Sequence, residues 1–104
     1  MEEDIKQIAE YYGFTSQADM LVEESAEYMV ALNKLRRGKA EAYNDVKEEV
    51  ADVLVIASQL RYLLGSDDID RIMRKKIERQ LQRIELEDTW SSAKRFKEGL
   101  KDES

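Results

Sequence analysis

Apolar residues recur along this chain at intervals of three and four, the spacing of one face of an α-helix. The pattern predicts four helices, at about residues 4–12, 16–37, 44–64 and 68–85. Gly13, Gly38 and Gly65 follow the first three of them, where glycine ends helices readily. Trp90 and Phe96 belong to a weak last helix, which should fray into residues 101–104.

The fold class predicted is therefore all-α, an antiparallel bundle of four to five helices. The chain has 104 residues, no proline and four glycines, and 38% of its residues are charged. That length predicts one domain, residues 1–104, with its centre at about 16–90. Because narrow helices leave a small core, we expect a second copy to cover apolar stripes, which favours an oligomer.

Composition excludes several kinds of chemistry. Without cysteine or histidine there is no disulfide, thiolate nucleophile, Ser-His-Asp triad or imidazole metal ligand. A net charge of -6 gives no help to binding nucleic acid or an anionic membrane. The acidic N-terminus is unlike a signal peptide, and no apolar run approaches the length of a bilayer span. These features favour a cytoplasmic protein.

Two pairs of carboxylates carry the functional signal. Glu24 and Glu27 are three positions apart, as are Glu49 and Asp52. On a helix this spacing places both members of a pair on one face, so each pair can bind one cation.

The surroundings of these acids favour burial. Asp52 is the only charged residue between Val50 and Ala57, in a segment that is apolar almost all round. Glu24 and Glu27 project among apolar neighbours of their own helix. A buried carboxylate needs a cation or a proton, so something positive is expected beside Asp52.

Oxygen ligands without nitrogen or sulfur suit a hard cation, Mg²⁺ first and Mn²⁺ as a substitute. Lys76 and Arg83 face inward from the predicted fourth helix, with Arg79 to one side, and are candidates to bind a polyphosphate. Glu23 and Glu48 adjoin the acid pairs and favour supporting or surface roles. The plainer alternative is a bundle in which the four acids are solvated or paired with these three cations.

Three segments resemble the MazG-type nucleoside triphosphate pyrophosphohydrolases, an all-α family with the motif E-E-x-x-E, a variable gap, then E-x-x-D. EESAE at residues 23–27 and EVAD at residues 49–52 match it, across a gap of 21 residues. KIERQLQR at residues 76–83 is similar to the family's late helix motif. Gln80 stands there in place of a frequent asparagine and keeps an amide.

The resemblance implies Mg²⁺-dependent cleavage of a (d)NTP between the α and β phosphates, giving (d)NMP and pyrophosphate through a metal-activated water. It assigns ion binding to the four acids and phosphate binding to Lys76 and Arg83. It also implies a homodimer or homotetramer. Two alternatives stay open: a non-catalytic helical interaction protein, and a pyrophosphatase for another phosphoanhydride such as phosphoribosyl-ATP. The sequence leaves the preferred base undetermined.

Overall fold

A computed structural model describes residues 1–103 of the chain, with side chains as far as residue 99. It contains α1 (Glu2–Arg36), α2 (Ala42–Leu64) and α3 (Ser66–Glu103), and the described residues form no strand. The predicted all-α class is confirmed. Within the described part, every helix is too short or too polar to cross a membrane.

Glycine shapes the helix ends as the sequence predicts. Gly38 and Gly65 follow α1 and α2 with φ of 88° and 110°, values that side chains with a Cβ rarely adopt. α2 begins two residues before the predicted start at Asn44. The reason is a tight turn in which the Ala42 amide donates to the Lys39 carbonyl and leads directly into the helix.

Gly13 interrupts α1 without ending it. Its backbone, at φ 81° and ψ 171°, is not helical, so α1 consists of two segments joined at a kink. The predicted break at this glycine is therefore present, but no loop follows it. The kink brings the first segment onto the end of α2, where the Tyr62 hydroxyl donates to Glu10 Oε1 and the Lys6 ammonium lies 5.8 Å from the Tyr62 ring centroid.

The predicted fourth and last helices are one helix. α3 continues without a break because no proline occurs in the chain and no glycine lies between Gly65 and Gly99. The described residues therefore form three helices, one of them kinked at Gly13, where four to five are predicted. α3 stays helical to Glu103, so the expected fraying is wrong for residues 101–103, and Ser104 lies outside the described residues.

The chain divides into two units, residues 1–66 and 67–104. In the first, α1 and α2 pack together and run antiparallel. Glu10 meets Tyr62 at one end of the pair, while Lys34 and Asp45 line the same cavity at the other. The second unit is α3, whose exposed apolar side chains include Ile77, Leu81 and Trp90.

The contact between α1 and α2 follows a coiled-coil pattern. Its core positions alternate steps of four and three residues, the a and d spacing of a heptad, and none of their side chains is exposed. On α1 they are Gln17, Leu21, Glu24, Tyr28, Ala31 and Leu35, and on α2 they are Ala42, Val46, Glu49, Val53, Ile56 and Leu60.

Glu49, and not Asp52, is the acid of α2 that lies in this contact. Asp52 is exposed, as are Leu54 and Val55 in the same apolar segment. The expected enclosure of Asp52 is therefore wrong for this unit, and so is that of Glu27, which is also exposed. The reason is that α2 has one partner helix here, which covers one face of an almost uniformly apolar segment.

Replacing Gly13 by alanine should destabilise the first unit. The backbone at Gly13 lies in a region open essentially to glycine alone, and holding another residue there costs about 1 to 3 kcal/mol. No atom stands within 4 Å of the added Cβ, so strain and not collision is tested. Urea unfolding followed by circular dichroism should show a lower midpoint.

Gly99→Ala is the matched control for this prediction. Gly99 is helical and has the same open space around it, so alanine there should leave the midpoint unchanged or raise it slightly. Equal midpoints for the Gly13 variant and the wild type would contradict the role given to the kink.

Candidate metal centre on the α1–α2 pair

Two glutamates stand at core positions between α1 and α2. Glu24 and Glu49 are each half-buried, and the Oε2 atom of each is buried without a hydrogen-bond partner among the described residues. A buried acceptor left without a donor costs free energy that native structures rarely tolerate unless a ligand, an ion or a proton satisfies it.

Asp52 completes a group of three. One carboxylate oxygen from each of Glu24, Glu49 and Asp52 lies within 4.8 Å of the others. Such distances allow three oxygens to contact a common cation after small side-chain adjustments, since ligand oxygens stand at about 2.0–2.6 Å from Mg²⁺ or Ca²⁺. The two helices thus place one acid pair and a half-buried glutamate around one point.

Glu27 lies at the edge of this group. It is not among the three close carboxylates, but its charge is the strongest of the neighbouring charges that raise the pKa values of Glu24 and Glu49. Glu27 and Asp52 each follow a core glutamate by three positions. In an antiparallel pair, equivalent heptad positions of the two helices flank the same edge, which explains why four carboxylates converge.

The pKa values record this crowding. Loss of hydration, followed by the charges of Glu27, Asp52 and Glu49, raises the pKa of Glu24 from 4.5 to about 7. The pKa of Glu49 is also raised, by loss of hydration and by Glu27 and Asp52, although a hydrogen bond from Glu24 opposes the shift. Without a cation, Glu24 therefore holds a proton at a pH where glutamate is normally ionised.

The residues fit a hard divalent cation. The donor set is carboxylate oxygen only, two of the oxygens lack a partner, and like charges face each other across two helices. A divalent ion would satisfy both oxygens and remove the repulsion that raises the two pKa values.

The other predicted site residues lie elsewhere. Glu23 and Glu48 are exposed beside the group, and the charge of Glu48 contributes least to raising the pKa of Glu49. Four more residues belong to the second unit and are exposed on α3, where their contact with phosphate remains a prediction: Lys76, Arg79, Gln80 and Arg83.

Two cavities adjoin the acids on the helix pair. One, of about 450 Å³, includes Glu24 and Asp52 in its wall together with Gln17 and Gln59. The other, of about 370 Å³, includes Glu27 and Glu49 together with Lys34 and Asp45. Sequence reasoning missed Gln17, Gln59 and Lys34. The alternating steps of four and three, which put Gln17 at a core position, were the signal available for the first of them.

The chain was compared with protein-family models, with curated proteins and with solved structures, and none of the three comparisons gave a match.

The metal-free protein should lose stability as pH rises through neutrality. The pKa of Glu24 in the folded protein, about 7, lies above its ordinary value of 4.5, so the proton favours folding. This contribution is complete below about pH 4.5 and is lost as pH rises through about 7. Urea midpoints measured in EDTA from pH 5.5 to 8.5 should therefore fall.

Glu24→Gln tests the assignment, because the variant has no proton to lose at this position and its midpoint should fall less over the same range. Glu23→Gln, next to it and exposed, is the matched control and should behave as wild type. Mg²⁺ should raise the wild-type midpoint more at pH 8 than at pH 6, since protons compete with the ion. A wild-type midpoint that is flat with pH, or indifferent to Mg²⁺, contradicts the site.

Proposed function

We propose that this chain is a Mg²⁺-dependent nucleotide pyrophosphohydrolase of the MazG type, which cleaves a (d)NTP between the α and β phosphates to (d)NMP and pyrophosphate. One observation supports the proposal above the others. Carboxylates from both acid motifs lie within 4.8 Å of one another, and Glu24 and Glu49 each have a buried oxygen that no residue outside the acid group satisfies. The burial of two of these carboxylates distinguishes the group from ordinary surface acids of a helical bundle.

The acids have different parts in this proposal. Glu24 and Glu49, fixed by their core positions, would hold the ion from within the helix pair. Asp52 and Glu27, exposed at the edge, would bind it from the side open to substrate. Bound Mg²⁺ or Mn²⁺ supplies Lewis acidity, which neutralises phosphate charge and makes water a better nucleophile.

Electrostatics also determines how the substrate approaches. Four carboxylates at one edge repel a free triphosphate, which is itself a polyanion. The acids therefore select a nucleotide that arrives with divalent cations, and they admit its phosphates only next to those ions. The requirement for metal follows from the charges of the chain itself.

Three basic residues are proposed to bind the phosphates. Lys76, Arg79 and Arg83 lie in a stretch of α3, residues 71–83, that contains a single acid, Glu78. Their proposed role rests on the similarity of this stretch to the late helix motif, with the Gln80 amide beside them. A homodimer or homotetramer is part of the same proposal, and the exposed apolar side chains of α3 support it.

Turnover should require Asp52. Incubation of the wild type with each NTP and dNTP plus Mg²⁺ should release pyrophosphate, measured by a coupled phosphate assay. Asp52→Asn keeps the size of an exposed side chain, so the fold should survive. Its kcat/KM should fall by more than the roughly 10- to 100-fold that loss of a supporting partner of a metal ligand costs.

Glu48→Gln is the matched control for Asp52→Asn, because Glu48 is an exposed acid of the same helix outside the close group. It should retain turnover. Wild-type protein that binds no nonhydrolysable triphosphate with Mg²⁺ in calorimetry would favour the interaction protein instead. Turnover of phosphoribosyl-ATP in preference to every NTP would favour the third alternative.

Arg83 provides a separate test of the phosphate contact. Arg83→Ala should raise KM for nucleoside triphosphates by about tenfold or more, since hydrogen bonds to charged groups contribute about 1.5–3 kcal/mol. Arg74→Ala is the control, an exposed arginine of the same helix outside the late motif. Equal KM values for the two variants would remove Arg83 from the site without affecting the acids.

A further inference from the structure

The cavity of about 450 Å³ on the α1–α2 pair combines an apolar lining with two nearly buried amides. α1 contributes apolar and aromatic side chains on both sides of the Gly13 kink, and α2 contributes two aliphatic ones; they are Ile8, Tyr12, Met20, Val55 and Ile56. Between them stand Gln17 and Gln59, which are only 4% and 3% exposed. An apolar cavity with a few convergent polar groups is the usual form of a small-molecule site.

The two amides have no evident structural partner. In the part of the chain that the structure describes, neither side chain forms a hydrogen bond with another residue. Both side chains line the cavity, and their amides keep some exposed surface, since neither is among the fully buried polar groups that lack a partner. An amide carries both a donor and an acceptor, so each is available to hydrogen bond a ligand in the cavity.

The position of the amides relative to the acids is set by helix geometry. Gln17 precedes Glu24 by seven residues, and Gln59 follows Asp52 by seven. Since α1 and α2 are antiparallel, both amides lie in the same direction from the acids, at about 10 Å for seven residues of α-helix. A nucleotide is of comparable length from its α-phosphate to the far edge of its base.

The second cavity differs in its charge. Lys34 and Asp45 stand in its wall with Glu27 and Glu49, so four charged side chains line it. The first cavity has Glu24 and Asp52 at its acidic end and no charged residue elsewhere in its wall. An uncharged, ring-shaped group suits the first cavity, whereas cations suit the second, in which three of the four charged side chains are acidic.

We infer that the cavity between Tyr12 and Gln59 binds the nucleoside half of the substrate, and that Gln17 and Gln59 determine base specificity by hydrogen bonding the polar edge of the base. The inference rests on the proposed function, from which it takes its substrate. It adds the residues that recognise the base, which the proposed function does not specify. A side-chain amide offers a donor and an acceptor together, which can pair with an acceptor and a donor on the edge of a base. The Tyr12 ring supplies a surface on which a base can stack.

The test compares substrates that have a base with one that has none. Gln17→Leu and Gln59→Leu remove the amides and nearly keep the side-chain volume, and Gln7→Leu, at an exposed glutamine of α1, is the matched control. The ratio of kcat/KM between the best and worst bases should shrink by about tenfold in each amide variant. Turnover of methyl triphosphate, which lacks base and sugar, should stay as in wild type.

Two outcomes would overturn the inference. If both amide variants keep the wild-type base preference while hydrolysis still depends on Asp52, the cavity is not the base site, although the proposed function stands. Equal losses with methyl triphosphate and with nucleotides would mean that the amides act on the chemistry or on the fold instead.

A binding experiment on wild-type protein separates the inference from the proposed function. Nucleoside monophosphates with Mg²⁺ should shift the side-chain amide resonances of Gln17 and Gln59 in ¹⁵N NMR spectra, whether or not any triphosphate is hydrolysed. Shifts without hydrolysis would support the cavity and reject the proposed reaction. Unshifted resonances at millimolar nucleotide would reject the cavity as a base site.

Discussion

Glu24 and Glu49 are carboxylates at core positions between two packed helices. The stability of the first unit depends on how the burial of these charged groups is compensated. The other core positions of α1 and α2 carry mostly aliphatic, alanine and tyrosine side chains, whose burial favours the contact. At these two positions the same contact removes water from carboxylates and brings like charges together. Either a proton or a cation must compensate, which is why the pKa of Glu24 reaches about 7.

This constraint links the stability of the helix pair to the occupancy of the acids. The pair has a small core, in which the buried apolar residues are three alanines, Ile56 and Leu60. Burial of so few apolar side chains contributes little folding free energy to offset the cost of two buried oxygens that lack a partner outside the acid group. A cation that binds only the folded pair therefore adds to folding free energy directly, and the site and the fold support each other.

The sequence predicts part of this arrangement. Local rules determine helix ends and spacing along one helix, but not the register between two helices. Local rules suffice for the glycine-bounded ends of α1 and α2 and for the pairing of acids three residues apart. They do not reveal which acid faces the partner helix. Asp52 looked enclosed because its neighbours are apolar, yet Glu49 has the core position, and only the register with α1 determines that. Likewise, nothing local distinguishes Gln59 from exposed glutamines before the two helices are brought together, although the heptad spacing of α1 already points to Gln17.

The antiparallel register also gives the site a direction. Moving along one edge of the pair, Lys34 and Asp45 come first, the four acids follow, and the two amides and Tyr12 come last. A metal cluster alone would accept any polyphosphate, since ions attract phosphate oxygens without regard to what the phosphates are attached to. Charge at one end and an apolar, amide-bearing cavity at the other make the two ends unequal. In the proposed reaction, that inequality would orient a substrate with one charged and one uncharged half, and so would determine which phosphorus lies beside the acids.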